Sequence, residues 1–274
     1  MVNKVSKHLK ILVKILKTGS EARRLSKINN AQLSAVYRAY KESKSGNYPR
    51  EESDIIENCE RFRAQLLSSE EVITYEVFNS DRTALVKDVC KKAASSKTWC
   101  VLLYNLIKEI NPKNVFEVGT NLGVSGSYIL SAMEVMGGGK FTSLEGVPKL
   151  CEIAEKQFSK ICKKVNFNVS QGLYVQTFDA ALDSYSEIDC AFIDGNHQLS
   201  PTLEYFAKLK GKASPKSIFL FDDINWSSGM QQAWSKIKDD EEVSFTIDLY
   251  EIGIVIRDSE YHGPKEHFKF HYAY

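Results

Sequence analysis

Apolar and polar positions keep two different rhythms along this chain, and the change comes near residue 96. From Asn114 onward, short apolar runs alternate with longer stretches of helical period. That is the pattern of a parallel α/β sheet in which each strand is followed by a helix. Strands are predicted over residues 114–119, 141–145, 165–170, 188–194 and 217–222, with helices between them, the first over 124–136. Two last runs, 243–250 and 252–257, lie almost back to back. So short a connection permits only an antiparallel hairpin. The stretch 99–107 is apolar on most sides and predicts a helix buried against the sheet.

The first 95 residues have mostly helical periodicity, with a polar break at 44–50 that suggests a linker. They are expected to form a helical N-terminal extension, residues 1–95, to a sheet domain over 96–274. Near the start, Val5, Leu9, Leu12 and Leu16 share one helical face while Lys7, Lys10, Lys14 and Lys17 share another. This basic amphipathic helix is expected to pack on its own domain or on a second copy in a homo-oligomer; the alternative is peripheral contact with an anionic membrane surface.

Composition narrows the class only a little. With 43% hydrophobic and 26% charged residues in 274, the chain can bury a full core. A net charge of +1 gives no electrostatic footprint for nucleic acid, so none is expected as a partner. The six cysteines (Cys59, Cys90, Cys100, Cys151, Cys162, Cys190) are scattered without a C-x-x-C pair, which argues for reduced thiols in a cytoplasm. No apolar run reaches the roughly 18 residues needed to span a bilayer, and lysines interrupt the N-terminus too often for a secretory signal.

The candidate chemistry begins at Val115-Phe-Glu-Val-Gly-Thr-Asn-Leu-Gly-Val-Ser-Gly-Ser-Tyr128. A buried strand ends in an acid and breaks into a glycine-punctuated turn that leads to a helix. Gly119 and Gly123 let the backbone turn tightly and approach a ligand. Asn at position 121 removes the G-x-G-x-x-G spacing that admits a dinucleotide pyrophosphate. What remains, Glu117-x-Gly119-Thr120-x-x-Gly123, resembles motif I of the class I S-adenosylmethionine-dependent methyltransferases. The predicted strands agree: five parallel strands closed by a hairpin resemble the seven-stranded methyltransferase sheet, a Rossmann-like α/β arrangement flanked by helices whose last strand is antiparallel. The resemblance covers about residues 96–258. It implies that Glu117, Gly119, Thr120, Asn121, Gly123 and Ser125 surround S-adenosylmethionine. Glu145, ending the second strand, then meets the ribose hydroxyls with Gly146 beside it, and Gln171 and Gly172 lie beside the adenine; Asp194 borders the same cofactor. A bare strand-end acid facing water is the plainer reading of Glu145.

Two later segments carry the acceptor chemistry. Ile188-Asp-Cys-Ala-Phe-Ile-Asp-Gly-Asn-His197 ends its strand in Asp194, and Ser217-Ile-Phe-Leu-Phe-Asp-Asp-Ile-Asn-Trp226 ends the next in Asp222 and Asp223. Three carboxylates are expected to converge at the sheet edge that holds the cofactor. Crowded acids repel one another, and a hard divalent ion with oxygen ligands resolves the conflict; Mg²⁺ fits such a donor set. The plainer reading is that one acid holds the loop while another touches the ligand. The segments resemble the metal-dependent O-methyltransferases of the catechol type and, more closely, of macrolide sugars. That resemblance implies Asp194, Asp222 and Asp223 as metal ligands and His197 as general base, with Asp194 as the other proton acceptor. Without it, His197 reads as a loop histidine bonded to Asp194 or to backbone.

Trp226, Met230 and Trp234 follow at helical spacing; Trp234 is expected in the core, and Trp226 is open between core and acceptor contact. The tail 262–274 mixes His and aromatics without ligand spacing and reads as a lid or a dimer contact. Together these imply an O-methyltransferase acting on a hydroxyl of a sugar, glycoconjugate or related small molecule. The alternatives are a catechol-like acceptor or a non-catalytic adenosyl-binding scaffold at a membrane.

Overall fold

β-Branched and aromatic residues packed on both faces drive the central strands. Val115, Phe116, Phe141, Phe192, Ile218, Phe219 and Val255 are each almost wholly buried, as parallel strands covered by helices require. The computed structural model describes residues 17–272. The basic amphipathic face expected on residues 5–16 lies outside the described residues. The chain divides into two units, one from Ala39 to Tyr185 and one made of residues up to Arg38 with Ser186 onward.

In the unit Ala39–Tyr185, the helix Arg50–Leu67 is followed by an antiparallel hairpin of β1 (Val72–Thr74) and β2 (Thr83–Leu85), then by the helices Val86–Ala93 and Lys97–Ile110. The last of these is buried continuously from Trp99 to Ile107, as its apolar sequence predicts. It ends at Asn111, which adopts φ +46° and returns its N–H to Ile107; a left-handed Asn is a common way to stop a helix. Three parallel strands follow: β3 (Asn114–Val118), β4 (Gly139–Glu145) and β5 (Val165–Gln171), with β4 between the other two. The helices Val124–Val135, Pro148–Ile161 and Tyr174–Asp183 connect and follow them. Phe158 stands edge-on to both Phe141 and Phe167, centroids 5.8 Å away in each pair. Such pairs contribute about 0.5–1.5 kcal/mol beyond simple burial.

The second unit holds β6 (Ile188–Ile193), β7 (Ala213–Phe221), β8 (Phe245–Asp248), β9 (Gly253–Asp258) and β10 (Glu266–Lys269). Their order is β10-β8-β9-β7-β6. β6 and β7 are parallel, β9 is antiparallel to both β7 and β8, and β10 is parallel to β8. The predicted terminal hairpin is therefore β8–β9. Its turn is tied by Leu249 N–H to Ile252 O and by Tyr250 N–H to the Asp248 carboxylate, which hold Tyr250 at φ +82°.

Beyond the expected terminal hairpin this unit has one further strand, β10, so its antiparallel member, β9, is not the last. The added strand comes from the C-terminal tail, read from sequence as a lid or dimer contact. Phe268 and Phe270 are buried there. Helical residues 17–25 cover this edge: Arg24 lies 4.5 Å over the Phe268 ring and donates to His267 O, and Glu21 accepts the Lys269 N–H. An exposed edge strand is a template for aggregation, and side chains that satisfy its free N–H and C=O groups blunt it. All six cysteines are free. Among the described residues, no helix is long and apolar enough to cross a membrane.

Candidate functional site

The turn after β3 is fixed by backbone bonds. Gly119 N–H and Thr120 N–H both donate to Leu144 O on β4, at 3.0 Å, and Gly123 N–H donates to Thr120 O at 2.8 Å. Gly123 must be glycine on two counts. Its φ is +77°, and a Cβ there would stand 2.8 Å from Ala154 Cβ and 3.0 Å from the Phe158 ring. Gly126, one turn into the helix, meets the same ring, its would-be Cβ lying 2.5 Å from Phe158 Cζ. The glycines thus let the helices Val124–Val135 and Pro148–Ile161 approach each other as well as shaping a ligand turn.

Glu117 is wholly buried. Its carboxyl bonds Ser125 Oγ at 2.7 Å and Ser143 Oγ at 2.5 Å. Ser143 is its register partner on β4. Burial pushes the Glu117 pKa up to about 7, the two serine bonds pull it down, and the Glu145 charge adds to the rise. Glu145 ends β4 with 8% of its surface exposed. One of its oxygens accepts Asn121 N–H and the other Val147 N–H, each at 2.9 Å. Burial raises its pKa, while the backbone N–H groups of Val147, Asn121 and Gly146 oppose the rise. A carboxylate has about four acceptor sites, so Glu145 holds the turn and keeps acceptor capacity for a hydroxyl. Asn121 donates from Nδ2 to Ala93 O, while its buried Oδ1 has no partner in the structure. Gln171 lies opposite Glu145 in the β4–β5 register, and Gly172 N–H donates to Glu145 O at 2.9 Å. The ends of β3, β4 and β5 are therefore knit together, with acceptor capacity at Glu145 and an unfilled acceptor at Asn121. These donor and acceptor positions suit a ribose and its base.

The acids lie in the other unit. Asp194 follows β6 and Asp222 follows β7, with Asp222 N–H bonded to Ile193 O. Burial, with the Asp223 and Glu251 charges, pushes Asp222 up to about 7, while the neighbouring Asp194 carboxyl opposes the rise. His197 Nε2 stands 3.5 Å from Asp194 Oδ1. Burial lowers the His197 pKa and the Asp223 charge counteracts this, so the ring is neutral at pH 7 and able to accept a proton. Asn196, His197 and Asp223 all have positive φ, +64°, +22° and +56°. Non-glycine residues held this way carry strain and cluster where loops are functional. The three carboxylates have the hard-oxygen chemistry of a Mg²⁺ site, but among the described residues no three His, Cys, Asp or Glu side chains are gathered to hold a metal ion. Met230 and Trp234 are core, as expected of Trp234, and Trp226 is 72% exposed.

Sequence reasoning missed Ser143, Gly126 and Phe78. Ser143 had no local signal, since it faces Glu117 only through the β3–β4 register. Phe78 had none, because its neighbour Gly146 is distant in sequence.

A Rossmann-like parallel sheet with one antiparallel strand near its end, a glycine turn after β3 and an acid ending β4 together define the class I methyltransferase fold. Residues 116–224 match the family model described as a methyltransferase domain. Among solved structures, an SAH-bound methyltransferase from Podospora anserina is similar, with 15% identity, a TM-score of 0.51, and coverage of 77% of this chain and 97% of that one. An O-methyltransferase from Bacillus cereus in complex with SAH is 19% identical with a TM-score of 0.50, covering 67% of this chain and 89% of its own. The O-methyltransferase TomG from Streptomyces achromogenes, involved in tomaymycin synthesis and bound to SAM, is 17% identical with a TM-score of 0.50, covering 61% and 82%. At these identities the likeness is one of fold. No curated protein matches the sequence.

Proposed function

We propose that this methyltransferase uses S-adenosylmethionine and transfers its methyl group to a hydroxyl oxygen of a sugar, glycoconjugate or related small molecule. The observation that carries the reading is Glu145: a buried carboxylate at the end of β4, oriented by Asn121 and Val147 N–H and keeping acceptor capacity for a hydroxyl. Two solved neighbours are O-methyltransferases by name, which favours oxygen as the acceptor atom.

When bound, S-adenosylmethionine would supply an electrophilic methyl group for in-line transfer to the acceptor oxygen with release of its thioether, and the hydroxyl proton would pass to the His197 imidazole. The sulfonium is already an excellent leaving group, so the protein mainly aligns donor and acceptor. Neutral His197, its pKa lowered by burial, suits the role of base, and Asp194 at 3.5 Å suits that of orienting the ring. Exposed Trp226, on the loop after Asp223, offers an apolar face for a sugar ring.

Mg²⁺ enters the proposal on donor chemistry alone: Asp194, Asp222 and Asp223 are hard oxygen donors that would hold it, and it would lower the pKa of a bound hydroxyl. The basic stretch ahead of residue 17 is proposed to pack on its own domain or on a second copy.

Calorimetric titration with S-adenosylmethionine, with and without Mg²⁺, tests the core of this reading. Binding of the methyl donor and not of NAD is the expected result; the reverse would refute it. Loss of turnover in excess EDTA with recovery on adding Mg²⁺ is expected for the metal. Full activity in EDTA would remove the ion and leave the methyl-transfer reading standing.

A further inference from the structure

The β1–β2 hairpin lies outside the matched domain, and its tip carries an exposed aromatic. The tip is a defined turn: Tyr75 N–H donates to Arg82 O, Phe78 N–H to Tyr75 O, and Asn79 N–H to Glu76 O with Asn79 at φ +53°. The Arg82 guanidinium lies 5.2 Å from the centroid of the Tyr75 ring. The base of the hairpin is pinned to the helix Pro148–Ile161 by Glu71 to Lys149, 2.7 Å. That helix begins directly after the Glu145-Gly146-Val147 turn. The hairpin thus lies beside the segment that follows Glu145, with Phe78 at its tip against Gly146.

Phe78 is 51% exposed, and its Cζ lies 3.0 Å from where a Cβ on Gly146 would stand, with Gly172 O 3.9 Å from the same point. A single exposed Phe is ordinary. This one occupies the volume that a side chain at position 146 would fill, next to the carboxylate read as the ribose acceptor and to the Gly172 turn read as the adenine neighbour. A base joined to a ribose at Glu145 has this point beside it when it lies toward Gly146 and Gly172, and a flat purine gains by contact with an aromatic face.

We propose that Phe78 forms an aromatic wall for the adenine of the cofactor, in place of a side chain at Gly146. This rests on the S-adenosylmethionine reading. The hairpin then adds a cofactor contact that the Rossmann-like sheet does not supply itself.

The test compares dissociation constants of S-adenosylhomocysteine and of free adenosine for the wild type, Phe78→Ala and Phe78→Tyr. Phe78→Ala should weaken both ligands by a similar factor, about tenfold or more, and Phe78→Tyr should restore both to within about twofold. Because the ring is half-exposed, the thermal midpoint of unliganded Phe78→Ala should stay near that of the wild type. Unchanged affinities in Phe78→Ala would overturn the wall. Weakened binding of S-adenosylhomocysteine with unchanged adenosine would also overturn it, by moving the contact off the base. A wild type that binds neither ligand refutes the cofactor reading itself and the wall with it.

Discussion

Glu117 is a wholly buried acid. Its folded pKa, about 7, lies above the ordinary glutamate value of 4.5, so the fold favours the protonated form. The resulting stabilisation is complete below the unfolded pKa and is lost as pH rises through the folded one. Relative to Glu117→Gln, the unfolding free energy of the wild type should fall by about 3 kcal/mol between pH 4.5 and 7 and level off above; denaturant titrations across that range will show it, and parallel curves for the two proteins would contradict the buried-acid account. His197 behaves oppositely. Its pKa is lowered by burial, so it stays neutral further into acid than a free histidine. If it is the base, His197→Ala should lower turnover by about 10² to 10⁴ with cofactor affinity nearly intact, and the wild-type rate should drop only below pH 6.5. Acid also protonates the neighbouring carboxylates, so the variant is the needed control. Near wild-type turnover would leave proton transfer to Asp194 or water. Glu117, Glu145, Asp194 and His197 were legible as residues because strand-end acids before glycine turns have a local signature. Their partners were not: Ser143 binds Glu117 across a strand pairing, and Glu145 binds Asn121 across the turn between two strands.

Among the elements, β10 shows where local pattern is insufficient. The four residues Glu266–Lys269 bury one large side chain between charged neighbours, too short a run to declare a strand alone. The strand exists because β8 offers a free edge and residues 17–25 cover it. Phe268→Ala should therefore destabilise the protein by about 3–5 kcal/mol, as for other buried aromatic truncations, whereas Lys269→Ala, on the exposed side, should change it by less than about 0.5 kcal/mol. Chemical denaturation of the two variants measures this directly, and equal, small effects would mean that the tail is not part of the sheet. The central strands were legible by contrast. β3, β6 and β7 are apolar on both faces, and their ends fall within a few residues of the runs seen in the sequence.

At the scale of the whole molecule, a ligand that binds only the native state raises stability by mass action. S-adenosylmethionine at about a hundred times its dissociation constant should add about 2.7 kcal/mol. For a protein of this size that raises the unfolding midpoint by roughly 5–10 °C, measurable by scanning calorimetry; no shift at saturating ligand would count against a native-state cofactor site.

The sequence by itself determined the α/β class, the parallel strands with their terminal hairpin, the methyltransferase motif and the acids at the strand ends. These depend on periodicity and on residues adjacent along the chain. Only the tertiary structure decided that β10 pairs with β8, that Glu117 bonds Ser143, that Glu145 accepts the Asn121 N–H and that Phe78 lies against Gly146. Each of these joins residues far apart in sequence, where burial and close approach, absent from any local pattern, set the outcome.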